Sequence, residues 1–315
     1  ALICGGRNLF ARKIHLKISS RSETFATARA KRLQCPLLND IYLYYEQKGL
    51  LFVTQTHNSH PIRVGVQLQP QHTTYQSFAE AVKKCEELGV DTIWNWDHFY
   101  PLYGDPNGPH FEGWTMLTAM ATLTTRAEIG CLVTCNTYRN PALLSDMAKT
   151  VDHISNARLI LGVGAGWFER DYTEYGYEFG TPGSRLAALE NSLQIIKHRW
   201  EVDIPKPLRK IPILIGGGGE KVTLKITAKY ADMWHGFGKP EQIAHKIEVL
   251  HNWCAEVGRN PDEIECGCDT RKTDSDETRA AYLKAGASHF IIGMTEPWDF
   301  AAVEDLVKWR DQHQG

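Results

Sequence analysis

From Ile62 onward, short apolar stretches alternate with amphipathic ones, and this rhythm restricts the fold more than any single residue does. Ile62-Arg-Val-Gly-Val-Gln-Leu68 alternates apolar and polar side chains with the period of a strand. Ser77-Phe-Ala-Glu80 then reads as a capping box. It opens a helix whose Phe78, Ala81, Val82, Cys85 and Leu88 share one face and which Gly89 ends. A second strand, Val90 to Trp96, completes a βαβ unit of about 35 residues. The same sequence of signals predicts strands at 127–135, 158–163, 211–215, 232–235, 264–269 and 289–293. Helices fall near 114–124, 141–154, 184–200, 220–230, 240–257, 276–285 and 298–312. Eight strands, each followed by a helix, in roughly 250 residues predict an α/β chain closed into a (β/α)8 barrel. An open doubly wound sheet competes, but the chain has no linker and no GxGxxG after its first strand. Gly267 and two cysteines blur the strand at 264–269.

Residues 1–60 break the pattern. They hold nine Lys/Arg against three acids, a local balance of +6, which leaves −8 for the other 255 residues of a chain whose net charge is −2. The segment is rich in Arg and Ser and starts without Met, the marks of an organelle transit peptide; an extended reading frame gives the same composition. The expected organisation is therefore a basic extension over 1–60 and a barrel domain over 61–315. The near-neutral balance offers no field to attract nucleic acid, and no apolar run approaches the roughly 18 residues of a membrane span. The eight cysteines show no CxxC or paired spacing, and no His pair has metal-ligand spacing, so no metal is expected and a reducing, cytoplasmic setting fits, with import the alternative if the extension is a transit peptide.

Barrel enzymes place their chemistry where strands end, so the strand ends supply the candidates. The second ends in Trp94-Asn-Trp-Asp-His-Phe-Tyr-Pro101, which puts Asp97 and His98 at the rim; a His there can exchange a proton near neutral pH, and an Asp can orient it or hold a ring. The third offers Thr134, Asn136 and Arg139. The fourth runs into Gly162-Val-Gly-Ala-Gly-Trp167, where bare backbone lets a flat ligand lie close, although a tight turn would look the same. The fifth runs into four glycines, Gly216 to Gly219, ahead of a helix; their amides suit a phosphate, though the Walker pattern is absent. Trp94, Trp96, Tyr100, Trp114 and Trp167 suggest an aromatic-walled pocket. Cys131 and Cys135 alternate with barrel positions and read as packed rather than reactive.

Together, the strand-end sequences resemble the bacterial-luciferase-like superfamily and, within it, the branch using the deazaflavin coenzyme F420. The resemblance covers about residues 62–312. It is carried by Arg63 to Pro70, Asp97-His98-Phe99, Asn136 to Pro141, Asp152 to Ser155, Arg158 to Trp167, Phe179 with Arg185, and Gly216 to Glu220 with Ala231-Asp232. The resemblance implies that Asp97 contacts the deazaflavin ring and that His98 stands near the hydride-transfer centre. It implies a non-prolyl cis peptide at Cys131–Leu132 supporting the ring, with Thr134 and Asn136 on its polar edge. Gly164, Ala165 and Gly166 would line the cofactor's tail, and Gly217 and Gly218 would bind its phosphate. Relatives that oxidise sugar phosphates carry Glu at the position of Trp167 and Trp at that of Leu102, which turns the expected substrate toward a small apolar or conjugated molecule, with Trp96, Trp114 and Trp167 in its pocket. An F420-dependent oxidoreductase is the leading expectation, and a homodimer is a partner state the family implies. An FMN-dependent monooxygenase and a non-catalytic flavin- or deazaflavin-binding protein are the alternatives.

Overall fold

The computed structural model describes residues 60–314 and, before them, the backbone of 41–46 and 49–54. Apart from that backbone, the expected basic extension lies outside the described residues. There, β1 (Ile41–Glu46) pairs antiparallel with β2 (Gly49–Thr54), in register from Ile41 opposite Thr54 to Glu46 opposite Gly49. The pair was not foreseen, although the aromatic and branched composition of both segments suits strands. The chain divides into two units, Ala1–Gln55 and Thr56–Gly315.

The second unit is a parallel barrel. Its strands are β3 (Arg63–Leu68), β4 (Thr92–Asn95), β5 (Glu128–Cys131), β6 (Thr134–Cys135), β7 (Leu161–Gly164), β8 (Ile213–Gly216), β9 (Met233–Gly236), β10 (Glu265–Thr270) and β11 (His289–Met294). They lie in the order β5-β4-β3-β11-β10-β9-β8-β7-β6. β5 and β6 are two halves of the single strand predicted at 127–135. The ring nearly closes where Ile129 bridges Leu159 and the Ile160 amide donates to the Ile129 carbonyl at 2.8 Å.

The cis peptide lies between Leu132 and Val133, one residue beyond the expected Cys131–Leu132. The Leu132 amide still donates to the Asn95 carbonyl at 2.8 Å, and its own carbonyl accepts Gln67 Nε2 at 2.6 Å, so the ladder continues one residue further before the chain departs.

Helices α1 (Tyr75–Glu87), α2 (Gly113–Leu123), α3 (Pro141–Ile154), α5 (Pro182–Val202), α6 (Thr223–Tyr230), α7 (Pro240–Val257), α8 (Asp276–Lys284) and α9 (Ala301–His313) surround the barrel as the periodicity predicts. A short α4 (Glu169–Tyr175) precedes α5 and was not anticipated. The expected capping box is also displaced. Thr74 caps α1, its Oγ1 accepting the Ser77 amide at 3.1 Å, while the Ser77 hydroxyl accepts Trp298 Nε1 at 3.0 Å. Apolar side chains such as Phe78, Leu117, Leu144, Ile247, Leu306 and Trp309 fill the shell between strands and helices.

Inside the ring the filling is layered. At the amino end of the strands, Arg63 bonds Glu128 and, at 3.0 Å, Glu265; Arg209 reaches Glu128 at 2.5 Å. Thr92 Oγ1 joins His289 Nε2 (2.8 Å) to Trp94 Nε1 (2.7 Å). Above them Trp94, Leu132, Ile160, Leu214, Met233 and Ile291 form an apolar plug. Gly130 makes room for it: an added Cβ would stand 2.6 Å from Cζ3 of Trp94. Trp94, expected on the pocket wall, belongs to this plug and is fully buried.

The polar layer is a stability device. Burial alone would raise the Glu265 carboxyl, but the His289 imidazole and the Arg63 guanidinium outweigh it and hold it near 2. A depressed folded value means that this stability is present above the ordinary 4.5 and is lost as pH falls through about 2. Glu265→Gln is expected to cost up to about 3–5 kcal/mol at pH 7 by leaving buried cationic charge undercompensated. Urea unfolding of parent and variant should show that gap shrinking from pH 5 downward; a gap independent of pH would contradict the assignment.

Candidate active site

A cavity of about 420 Å³ opens at the carboxyl end of the strands. Gln67 and Gln69 border it from β3 and beyond, and Trp96, Asp97, His98, Leu102 and Tyr103 from the loop after β4. Leu132 to Cys135, Gly164 to Trp167, Gly216 and Gly217, His235 and Asp269 continue the wall. His98 and Gly217, far apart in sequence, therefore face one space. So do the predicted Trp96, Leu132, Thr134, Ala165, Gly166 and Trp167.

Besides Trp94, the predicted Tyr100, Arg139, Trp114, Cys131, Asn136 and Gly218 are not on the wall. Trp114 is buried in the shell under α2, because the helix turns that ring toward the core rather than the rim. Cys131 is buried in β5. Asn136 is buried at the start of a 3-10 turn, its Oδ1 without a partner. Gly218 stands just past the wall, its Cβ direction facing Lys246 Cε at 3.5 Å. In the glycine run, the Gly217 amide donates to the His235 carbonyl at 3.2 Å and its carbonyl accepts Trp234 Nε1 at 2.9 Å, with a φ of +123° that favours glycine. Helix α6 starts at Thr223, later than the expected 220.

His98 is held by a residue no sequence signal singled out. Its Nδ1 lies 2.7 Å from Oδ2 of Asp171, on α4. Asp171 is fully buried, and it also accepts the Tyr138 hydroxyl at 3.0 Å and the Phe99 and Tyr100 amides at 3.2 Å each. Burial, with the nearby Cys135 and Asp171, pushes the Tyr138 phenol upward, so it stays protonated and donates. A carboxylate only accepts, so Nδ1 carries the hydrogen and Nε2 of a neutral imidazole is left as an acceptor. Trp96, Trp167 and Phe168 stand edge-on to the ring at 5.7, 5.9 and 5.5 Å between centroids.

Asp97 has a structural share as well. Its Oδ2 and Oδ1 take Arg139 Nη1 and Nη2 at 2.6 and 2.9 Å, and Oδ2 also accepts the Cys135 amide at 3.0 Å. Arg139 reaches Glu112 at 2.6 Å. Burial alone would lower the guanidinium, but Asp97 and Glu112 outweigh it and hold it charged. The fork ties the loop after β4 to the turn after β6. Cys135 Sγ lies 3.1 Å from the Tyr172 hydroxyl, and burial raises its thiol, which fits packing rather than reactivity.

Chemistry gathered at the carboxyl rim of a filled parallel barrel places the molecule among barrel enzymes. Within that class, the chain belongs to the luciferase-like monooxygenase family, whose profile matches residues 54–314. An F420-dependent glucose-6-phosphate dehydrogenase of Amycolatopsis mediterranei is 29% identical over 188 residues, which span 54% of this chain and 54% of that one. The chain thus spans about half the length of that curated relative. An uncharacterised protein of Mycobacterium tuberculosis is 24% identical over 69% of this chain and 87% of its own. Among solved structures, an F420-dependent secondary alcohol dehydrogenase in complex with an F420-acetone adduct superposes with a TM-score of 0.72 at 17% identity, covering 80% of this chain and 99% of that one. That likeness is one of fold.

His110 fixes Trp96, its Nε2 accepting the indole Nε1 at 2.9 Å. Burial and the neighbouring His98 push its imidazole down to about 4. The unfolded chain therefore binds a proton that the folded one refuses between pH 6.5 and about 4, so stability falls as pH drops through that window. His110→Gln is expected to flatten this part of the stability–pH curve, read as urea midpoints from pH 7 to 4. A slope matching the parent's would remove His110 as its source.

Proposed function

We propose that the protein is an F420-dependent oxidoreductase that passes a hydride between the deazaflavin and a small organic substrate. The observation that carries this is a set of buried polar atoms without partners on cavity-lining residues: Gln69 Oε1 and Thr134 Oγ1. Buried polar groups normally find partners, and the edge of a flat heteroaromatic ring offers donors and acceptors that would complete them. Leu132 and Val133 supply an apolar floor beside them. The residues present therefore fit the group. Thr134, Gln69 and Leu132 would hold the ring, with Asp97 and the buried Asn136 close to it. Gly164, Ala165 and Gly166 would line the tail, and its phosphate would lie along the glycine run by Gly217 and Gly218, although the Gly217 amide is given to the His235 carbonyl.

Bound there, the cofactor supplies the hydride donor or acceptor; the protein supplies orientation and a proton. His98, with Nδ1 committed to Asp171, exchanges a proton with the substrate oxygen through Nε2. Asp171 keeps the imidazole in that tautomer. Trp96, Trp167 and Tyr103 shield the reacting atoms from water. The relatives support the cofactor: the names of the dehydrogenase and of the structural neighbour both specify F420. Trp167 and Leu102 both line the cavity, and neither brings the polar groups a sugar phosphate would need. An apolar or conjugated carbonyl compound, or the corresponding alcohol, is the substrate class this wall favours. The family's description as a monooxygenase keeps FMN as the second reading.

Titration of the purified protein with F420 and FMN side by side is expected to give at least tenfold tighter binding of F420. Binding of FMN alone would overturn the proposal. His98→Ala should keep F420 affinity within a few-fold while turnover drops by roughly 10²–10⁴, and undiminished turnover would remove His98 from the chemistry.

A further inference from the structure

His72 has no part in the hydride-transfer proposal, yet its backbone is an outlier beside the cavity mouth. It stands at φ +52°, a left-handed conformation that a residue with a side chain seldom adopts, so contacts around it must offset the strain. Those contacts come from one stretch of the loop after β4. Its Nε2 lies 2.8 Å from the Tyr103 carbonyl oxygen, and its amide donates to the Pro109 carbonyl at 2.8 Å. A carbonyl only accepts, so Nε2 carries the hydrogen.

The imidazole is seated against two glycines of that loop. An added Cβ would come 3.0 Å from Nε2 at Gly104 and 2.3 Å from Cε1 at Gly108. Gly104 has a φ of +75°, which accounts for a glycine by itself. Gly108 lies outside the left-handed region, so there it is chiefly the ring that forbids a side chain.

The loop gives Leu102 and Tyr103 to the cavity wall, and the Tyr103 ring meets Trp96 at 6.2 Å between centroids. Its roots are tied by the Leu102 amide to Gln71 Oε1 at 2.8 Å and by the Phe111 amide to the Pro70 carbonyl at 2.9 Å. Between the roots, Tyr103 to Asn107 and Pro109 are exposed, so packing does little to place them. Arg170 on α4 holds the tip, with Nη1 on the Pro106 carbonyl at 2.5 Å and Nη2 on Asn107 Oδ1 at 2.7 Å. His72 instead grips Tyr103, the wall residue itself.

We propose that His72 sets the width of the cavity mouth: seated against Gly104 and Gly108, it fixes Tyr103 and Leu102 and so limits how broad a substrate enters. The substrate class, an apolar carbonyl compound, rests on the hydride-transfer reading. His72 does not line the cavity, so it is a positioning residue that acts through Tyr103. Without the wedge, the residues between the roots swing outward and broader molecules gain access.

The test uses the full chain with His72→Ala, His72→Gln and Gly108→Ala. Glutamine can return an N–H donor to the Tyr103 carbonyl, and Gly108→Ala keeps the histidine but drives a methyl group into its seat. In the unliganded protein, hydrogen–deuterium exchange at the amides of Leu102, Gly108 and residue 72 should speed at least tenfold in His72→Ala and Gly108→Ala. The glutamine variant should exchange like the parent. Binding of acetophenone and 2-acetonaphthone, read by quenching of tryptophan fluorescence, should shift at least fivefold toward the larger ketone in the two loosened variants and not in His72→Gln. With F420, the ratio of kcat/KM for the two ketones should move the same way. A lowered urea midpoint with parent-like loop exchange, or an affinity ratio that is unchanged or moves toward the smaller ketone, would reduce His72 to a structural residue and overturn the assignment. Failure of the parent to bind either ketone would overturn it too. Failure of the parent to bind F420 would sink the cofactor reading alone, because exchange and ketone binding need no cofactor.

Discussion

Parallel strands wrapped into a ring enclose a space that side chains must fill, and in this molecule Trp94 dominates the filling. Its indole is fully buried, is hydrogen-bonded to Thr92, and lies in the apolar layer with Leu132, Ile160, Leu214, Met233 and Ile291. Below that layer the charges of Arg63, Glu128, Glu265 and Arg209 neutralise one another. Because close-packed interiors leave no passage, the described cavity inside the ring lies above the plug, at the carboxyl end. The cavity's location is thus a packing consequence before it is a functional one.

Above the plug, buried charge organises the loops. A carboxylate taken out of water must be met by donors, or its desolvation would cost several kcal/mol. Asp97 is met by the Arg139 fork and an amide, and Asp171 by an imidazole, a phenol and two amides. Each set of donors comes from chain segments distant in sequence. The two carboxylates therefore cross-link the loop after β4 to the turn after β6 and to α4. That fixes His98 as a by-product of satisfying Asp171, and a fixed acceptor nitrogen is what proton transfer requires.

The barrel was legible because its determinants are local. Alternation at Arg63–Leu68, the apolar face of α1 and the stop at Gly89 are properties of short windows, and even the blurred segment around Gly267 forms a strand, Glu265–Thr270. Rim position likewise exposed Asp97, His98 and the Gly164 to Trp167 turn. The partners were not legible. Asp171 sits in a seven-residue helix with no strong periodicity, and its importance comes only from a hydrogen bond spanning 73 residues. Trp114 shows the opposite error: an aromatic residue at the start of the helix predicted at 114–124 looked like pocket wall, but the first turn of α2 rotates it into the core. The shift of the cis peptide to Leu132–Val133 has the same origin, since the Asn95 and Gln67 hydrogen bonds that place it come from other strands.

The mouth of the cavity adds a last physical argument about what enters it. Trp167, Tyr103 and Phe237 are 65%, 64% and 64% exposed, and all three line the opening from loops after different strands. Scattered exposed aromatics need no explanation, but three converging on one concave site do. Covering such a ring is worth on the order of 1–2 kcal/mol at about 25 cal/mol per Å² of apolar area. A strongly hydrated polyol would gain little of that and would pair poorly with the rings' faces. A flat or greasy molecule would gain most of it, spending the binding energy away from the reacting atoms, where it holds the substrate over His98 without stabilising the ground state of the bond to be changed. Under the proposed reading, the exposed rings and the His98–Asp171 pair would divide the work: the rim would select and orient by area, and the interior would handle the proton by charge.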